Sequence, residues 1–136
     1  MSVFNYGSPG LGNVGSYQVS GKPFLSGGID VNAATVAGTP LEISFPSVTR
    51  WIIVTNHDQN NDVDVAFSEN GFDSNNFFTV SEDGLDRANT MTQRMELKVT
   101  KIYLSGTSGQ VDVIAGLTGI SSGSLPDSWA GTPGVG

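Results

Sequence analysis

Hydrophobic and polar side chains alternate with a period of two through much of the chain. Tyr17 and Val19 alternate with Gln18 and Ser20, Leu41, Ile43 and Phe45 with Glu42 and Ser44, and Val63, Val65 and Phe67 with Asp64, Ala66 and Ser68. Further on, Met95, Leu97 and Val99 alternate with Glu96, Lys98 and Thr100, Ile102 and Leu104 flank Tyr103, and Val111 and Val113 flank Asp112. Successive side chains of a strand point to opposite faces, so this pattern predicts strands with one face in a core and one in water. The run Arg50-Trp51-Ile52-Ile53-Val54-Thr55 is continuously apolar from Trp51 to Val54, which predicts a strand covered on both faces. Phe77-Phe78-Thr79-Val80 is a shorter run of the same kind.

The breaks between these runs carry turn chemistry. Pro46-Ser47 follows one strand, Asn70-Gly71 follows another, and Thr107-Ser108-Gly109 separates two more as a hairpin. No stretch shows helical i, i+3, i+4 spacing with caps. Asp30 to Ala37 has room for one turn with Asp30 as N-cap, although Val31, Thr35 and Val36 are poor helix formers. About eight strands at near-regular spacing predict an all-β antiparallel sandwich or barrel.

The glycines divide the chain. Seven of 18 lie in residues 1–28, three in 29–105 (Gly38, Gly71 and Gly84, at turn positions) and eight in 106–136. Residues 1–14 and 121–136 therefore read as extended arms around a domain at 15–120. Their anchors would be isolated apolar residues: Val3, Phe4, Tyr6, Leu11 and Val14 in the first arm, and Leu125 and Trp129 in the second. The 136 residues suffice for one core, burying roughly two-thirds of the unfolded surface. With no Cys and one His, disulfides, thiolate metal sites, thiol nucleophiles and sites needing several imidazoles are excluded. The net charge of −7 argues against nucleic acid, whose binding needs a basic patch. No run approaches the ~20 apolar residues of a membrane span, and the first residues lack the charged and apolar regions of a secretory signal. The expectation is a soluble protein made in the cytosol, without direct membrane insertion.

Candidate chemistry is sparse. Asp58, Asn60, Asp62, Asp64 and Glu69 fall at positions 1, 3, 5, 7 and 12 of an EF-hand loop, but position 6, which must be Gly, is Val63. An acidic turn between strands is the simpler account. His57 has no GxSxG elbow or second His to work with, so it reads as an exposed loop residue. Gly7-Ser8-Pro9-Gly10-Leu11-Gly12 resembles a phosphate loop, yet it neither follows a strand nor opens a helix, and Pro9 lacks a donor. Paired carboxylates for glycoside hydrolysis are not excluded by spacing, although these acids sit mostly in turns and on polar strand faces. Phe72, Asn75, Asn76 and Phe77 could hold a sugar, and the same residues suit turns. No cofactor or metal is expected.

Charge has a direction along the chain. Residues 51–86 contain eight acids (Asp58, Asp62, Asp64, Glu69, Asp73, Glu82, Asp83 and Asp86) and no Lys or Arg, whereas Arg87, Arg94, Lys98 and Lys101 are four of the six basic groups. This is either an ordinary mixed surface or the two halves of a heterologous contact in a closed ring. Several segments in order carry a resemblance: GSYQVSGKPF at 15–24, VDVAFSENG at 63–71, MELKVTKIYLS at 95–105 and VDVIAGLTGI at 111–120, before a Gly/Pro-rich tail. The chain resembles small single-jelly-roll capsid proteins, of the penton or minor capsid type, from large icosahedral double-stranded DNA viruses. The resemblance implies an eight-stranded jelly-roll sandwich with Gly-rich arms, five copies closing a capsid vertex. It implies a non-enzymatic virion protein, made in the host cytoplasm, whose partners are other copies of itself and neighbouring capsid proteins. Neither arm is basic, which fits a shell that does not touch its genome. The rival expectation is a carbohydrate- or receptor-binding β-sandwich, such as a phage decoration or tail-associated module. A cupin-like enzyme would need several His ligands.

Overall fold

A computed structural model describes residues 21–36, 38–84, 90–125 and 129–136. The expected strand at Tyr17 and Val19, the anchors Val3, Phe4 and Tyr6, and Arg87 lie outside the described residues. The elements are β1 (Lys22–Ile29), α1 (Val31–Val36), β2 (Leu41–Ser44), β3 (Ser47–Asn56), β4 (Val63–Ala66), β5 (Phe77–Val80), β6 (Lys101–Gly106) and β7 (Val111–Ser121). They form two antiparallel sheets, ordered β1-β7-β3 and β2-β6-β4-β5. Val54, Val113 and Ala115 of the first and Val63, Val65 and Leu104 of the second share one buried apolar cluster. The described residues are thus mostly β, with one α-helical turn and two 3-10 turns at Glu69–Gly71 and Ser122–Ser124. The α-helical turn has Asp30 as its N-cap, whose Oδ1 accepts from the Ala33 N–H at 3.2 Å.

Four expectations are corrected. The described residues hold seven strands: residues 95–100 form no regular strand despite their alternation, the strand expected at Tyr17 and Val19 lies outside the described residues, and β1 is additional. The segment lies along the outer edge of β3 through isolated bridges, Ile52 with Met95 and Thr55 with Met91. There the Thr49 hydroxyl replaces regular ladder pairing, donating to the Leu97 carbonyl at 2.6 Å and accepting from the Val99 N–H at 3.1 Å. β3 shifts register twice around the same residue. Secondly, among the described residues no element covers the outer face of β3. Ile52 and Val54 are buried while Trp51 and Ile53 are half-buried on the outer face. Thirdly, Thr107-Ser108-Gly109 is no hairpin, since β6 and β7 belong to different sheets. Finally, Phe77-Phe78-Thr79-Val80 is not covered on both faces either, since Phe77 and Thr79 are exposed. β1 is a strand that the sequence pattern does not mark. Pro23 is tolerated because β1 is an edge strand, where a missing ladder donor does little harm.

The pairings are nested. β1 pairs with β7, β2 with β6, β3 with the segment 90–99, and β4 with β5. This is the pattern of one long antiparallel ribbon bent back at the β4–β5 connection. Pairing of β3 with β7 and of β4 with β6 then rolls the ribbon into two layers.

Candidate assembly surfaces

One end of the sandwich is closed by polar loops that meet at Asn56. This residue continues the inward parity of Ile52 and Val54 and is fully buried. Its Nδ2 donates to the Asn61 carbonyl at 2.8 Å and lies 3.3 Å from the carbonyls of Val80 and Ser81. Its Oδ1 accepts from the Asp58 N–H at 3.1 Å and from the Ser108 hydroxyl at 2.8 Å. Asp58 ties the same loops. Its carboxylate accepts from the N–H groups of Gly109 (3.0 Å), Asn60 (2.9 Å) and Asn61 (3.1 Å). These donors, Gly109 first, favour the anion and hold its pKa below the usual carboxylate value. The carboxylate thus stitches an acidic turn, as the residue types predict. Among the described residues no group of three or more His, Asp or Glu side chains could hold a metal ion. His57 is half exposed, and its Nε2 stands 2.7 Å from Asp112 Oδ2. With Asp58, Gln59, Asn60 and Gln110 it lines an open polar hollow of about 340 Å³.

The charged residues are distributed more widely than their positions along the chain imply. Asp58, Asp62, Glu82 and Asp83 belong to this loop end, where Asp62 Oδ1 accepts from the Glu82 N–H at 2.7 Å and the Asp83 N–H donates to the Asp58 carbonyl at 2.7 Å. Glu69 and Asp73 lie in the β4–β5 connection, and Asp64 on β4 accepts from the Thr79 hydroxyl at 2.7 Å. The basic groups also separate. Arg94 sits beside β3, 3.5 Å from Glu96, which Arg50 approaches at 3.4 Å. Lys98 is exposed on the same segment, whereas Lys101 lies on β6 and pairs with Glu42 at 2.9 Å.

The opposite end carries the residues after β7. Leu125 is half-buried and lines a hollow of about 260 Å³ with Ser44, Phe45, Thr100, Lys101, Ser122 and Gly123. Trp129 is half-buried and packs against this chain's own core. Residues 135–136 reach the β4–β5 connection, where the buried Ser68 hydroxyl stands 3.0 Å from the Val135 carbonyl and 3.2 Å from that of Gly136. In the same connection Asn75 takes a left-handed φ of 61°, Asn76 Nδ2 donates to Ser74 Oγ at 2.9 Å, and the Phe72 and Phe77 rings lie 5.9 Å apart. Asn75 and Asn76 are thus engaged in shaping the turn.

A feature that sequence reasoning misses lies on the outer face of the β1-β7-β3 sheet. Leu25 of β1 and Ile53 of β3 are both in register with Ile114 of β7, which makes one apolar row across three strands. Leu25 is 69% and Ile114 36% exposed. The next row places Pro23 and Trp51 on either side of Gly116. A signal for this face does exist: Ile114 has the parity of the polar Asp112, and Ile53 has the outward parity of the 50–55 run. Comparison with protein-family models, with curated proteins and with solved structures gives no match.

Proposed function

We propose that this chain is a non-enzymatic structural protein of a virion, a jelly roll whose copies join into a closed ring. The ring is a pentamer at a capsid vertex, in contact with neighbouring capsid proteins. The nested pairing supports the architecture. With residues 90–99 counted as the eighth member, strands 1-8, 2-7, 3-6 and 4-5 pair, as two interlocked Greek keys require, and viral shell domains are among the users of that fold. The observation that carries the functional reading is the apolar row Leu25–Ile114–Ile53, on a face with no described layer over it. Apolar area gains roughly 25 cal/mol per Å² on leaving water, and a specific contact buries about 800 Å² per partner. Arg94 and Lys98 beside that face, and the acidic loop end around Asp62 and Asp83, supply the opposite charges that would set register in a heterologous, ring-closing contact.

The mass of the native protein in solution tests this reading. A discrete closed oligomer that dissociates in the Leu25→Lys variant is expected. A monomer at all concentrations that captures immobilised glycans would instead favour the carbohydrate-binding sandwich.

A further inference from the structure

Residues 129–136 form a small knob with its own internal hydrogen bonds. The Thr132 N–H donates to the Trp129 carbonyl at 3.0 Å, Val135 N–H to Thr132 at 3.0 Å, and Gly131 N–H to Gly136 at 2.9 Å. The knob sits in a socket made by the β4–β5 connection, and the fit demands glycine on both sides. A Cβ on Gly136 would stand 2.5 Å from Ser74 Oγ and 2.9 Å from the Gly71 Cα, and φ there is +98°. A Cβ on Gly71 would meet the Val135 carbonyl at 3.0 Å. At the floor of the socket, Ser68 Oγ accepts from the Gly71 N–H at 3.1 Å and offers its proton to the knob carbonyls.

The knob is joined to β7 by residues 122–128, of which Ser122, Gly123 and Ser124 are exposed. We propose that this knob is exchanged between copies, leaving its own socket and entering the Ser68–Ser74 socket of a second copy when the protein assembles. Its internal bonds travel with it. Its body contacts, the Ser68 hydrogen bonds and the Trp129 packing, are re-made unchanged in the neighbour, which is what makes swapping a low-cost route to association. The inference rests on the self-association proposed above and names the segment and site that carry it.

Complementation of full-length variants tests it. Gly136→Ala spoils the knob and leaves the socket; Gly71→Ala spoils the socket and leaves the knob. Because Gly71 also faces the Asn76 carbonyl at 2.9 Å, Ser74→Leu serves as a second socket-blocking variant that perturbs the turn differently, giving up the hydroxyl's bonds to the Asn70 carbonyl and Asn76 Nδ2 while leaving the Gly71 backbone as it is. Hydrogen exchange of residues 129–136, read by mass spectrometry, should show about a tenfold loss of protection in each variant alone. In an equimolar mixture the intact knobs should regain it, giving two mass populations, with a mixed oligomer in native mass spectrometry. A mixture that is the plain sum of its components overturns exchange even if a ring is seen, and so does undiminished protection in the single variants. Complementation in a mere dimer overturns the ring and leaves exchange standing.

Discussion

Asn56 carries the polar loop end on one amide, and its surroundings separate donor from acceptor. The nitrogen faces the carbonyls of Asn61, Val80 and Ser81, while the oxygen receives the Asp58 N–H and the Ser108 hydroxyl. Replacement by Leu strands these groups away from water, and denaturant unfolding of Asn56→Leu should show a loss of about 3 kcal/mol. Asn56→Asp keeps the acceptor but sets a carboxylate against three carbonyls. That variant should be strongly destabilised at neutral pH and partly recover as acid protonates the new side chain. Asp58 gives the opposite pH response. Its folded pKa lies below the usual carboxylate value, so its contribution is present above that value and is lost as pH falls through the folded pKa. Stability measured from pH 6 to pH 2 should fall more steeply for the native protein than for Asp58→Asn, the two curves converging at the acid end. Asp58 was legible as an acidic turn residue. Asn56 was not, because a polar residue closing an apolar run reads as the edge of a strand rather than as its innermost hydrogen-bonding group.

At the scale of elements, β2 follows its alternation, with one core face and one wet face. β4 and β6 do so only in part, since Ala66 and Tyr103 are buried on the other parity, and β5 exposes Phe77 and Thr79 where its apolar run predicts cover on both faces. β7 is legible only at Val111 and Val113. Beyond them Gly116 and Gly119 look like breaks, although the strand continues to Ser121 because it pairs on both sides along most of its length. Residues 95–100 alternate as well as any strand in the chain, yet their pairing to β3 runs through the Thr49 side chain, which no periodicity reveals. Thr49→Val keeps the shape and removes the hydroxyl, leaving the Leu97 carbonyl and the Val99 N–H without it. We expect a cost of about 1–3 kcal/mol, with hydrogen exchange accelerating in residues 91–99 well before the strands of the other sheet. Uniform acceleration across both sheets would mean that this segment does not open separately from the rest of the sandwich.

For the whole molecule, the nested ribbon and the outward apolar row make different demands on solvent. The ribbon buries its inner faces within one chain, whereas Leu25, Ile114 and Ile53 lie on a face that no other described element covers, the face proposed above for a partner. Leu25→Lys places a charge where the native side chain is 69% exposed, so the unfolding free energy of the isolated chain should change by less than about 0.5 kcal/mol. In the proposed ring contact the charges of the 94–98 segment would meet those of the loop end, so raising salt to about 1 M, where screening acts over roughly 3 Å, should weaken association. The most direct test is native mass across a concentration series, for the unaltered chain and for Leu25→Lys. A discrete ring of five copies that falls to monomers in the variant is the predicted result. A strictly monomeric protein, or an oligomer indifferent to the charge at position 25, would contradict assembly through this face.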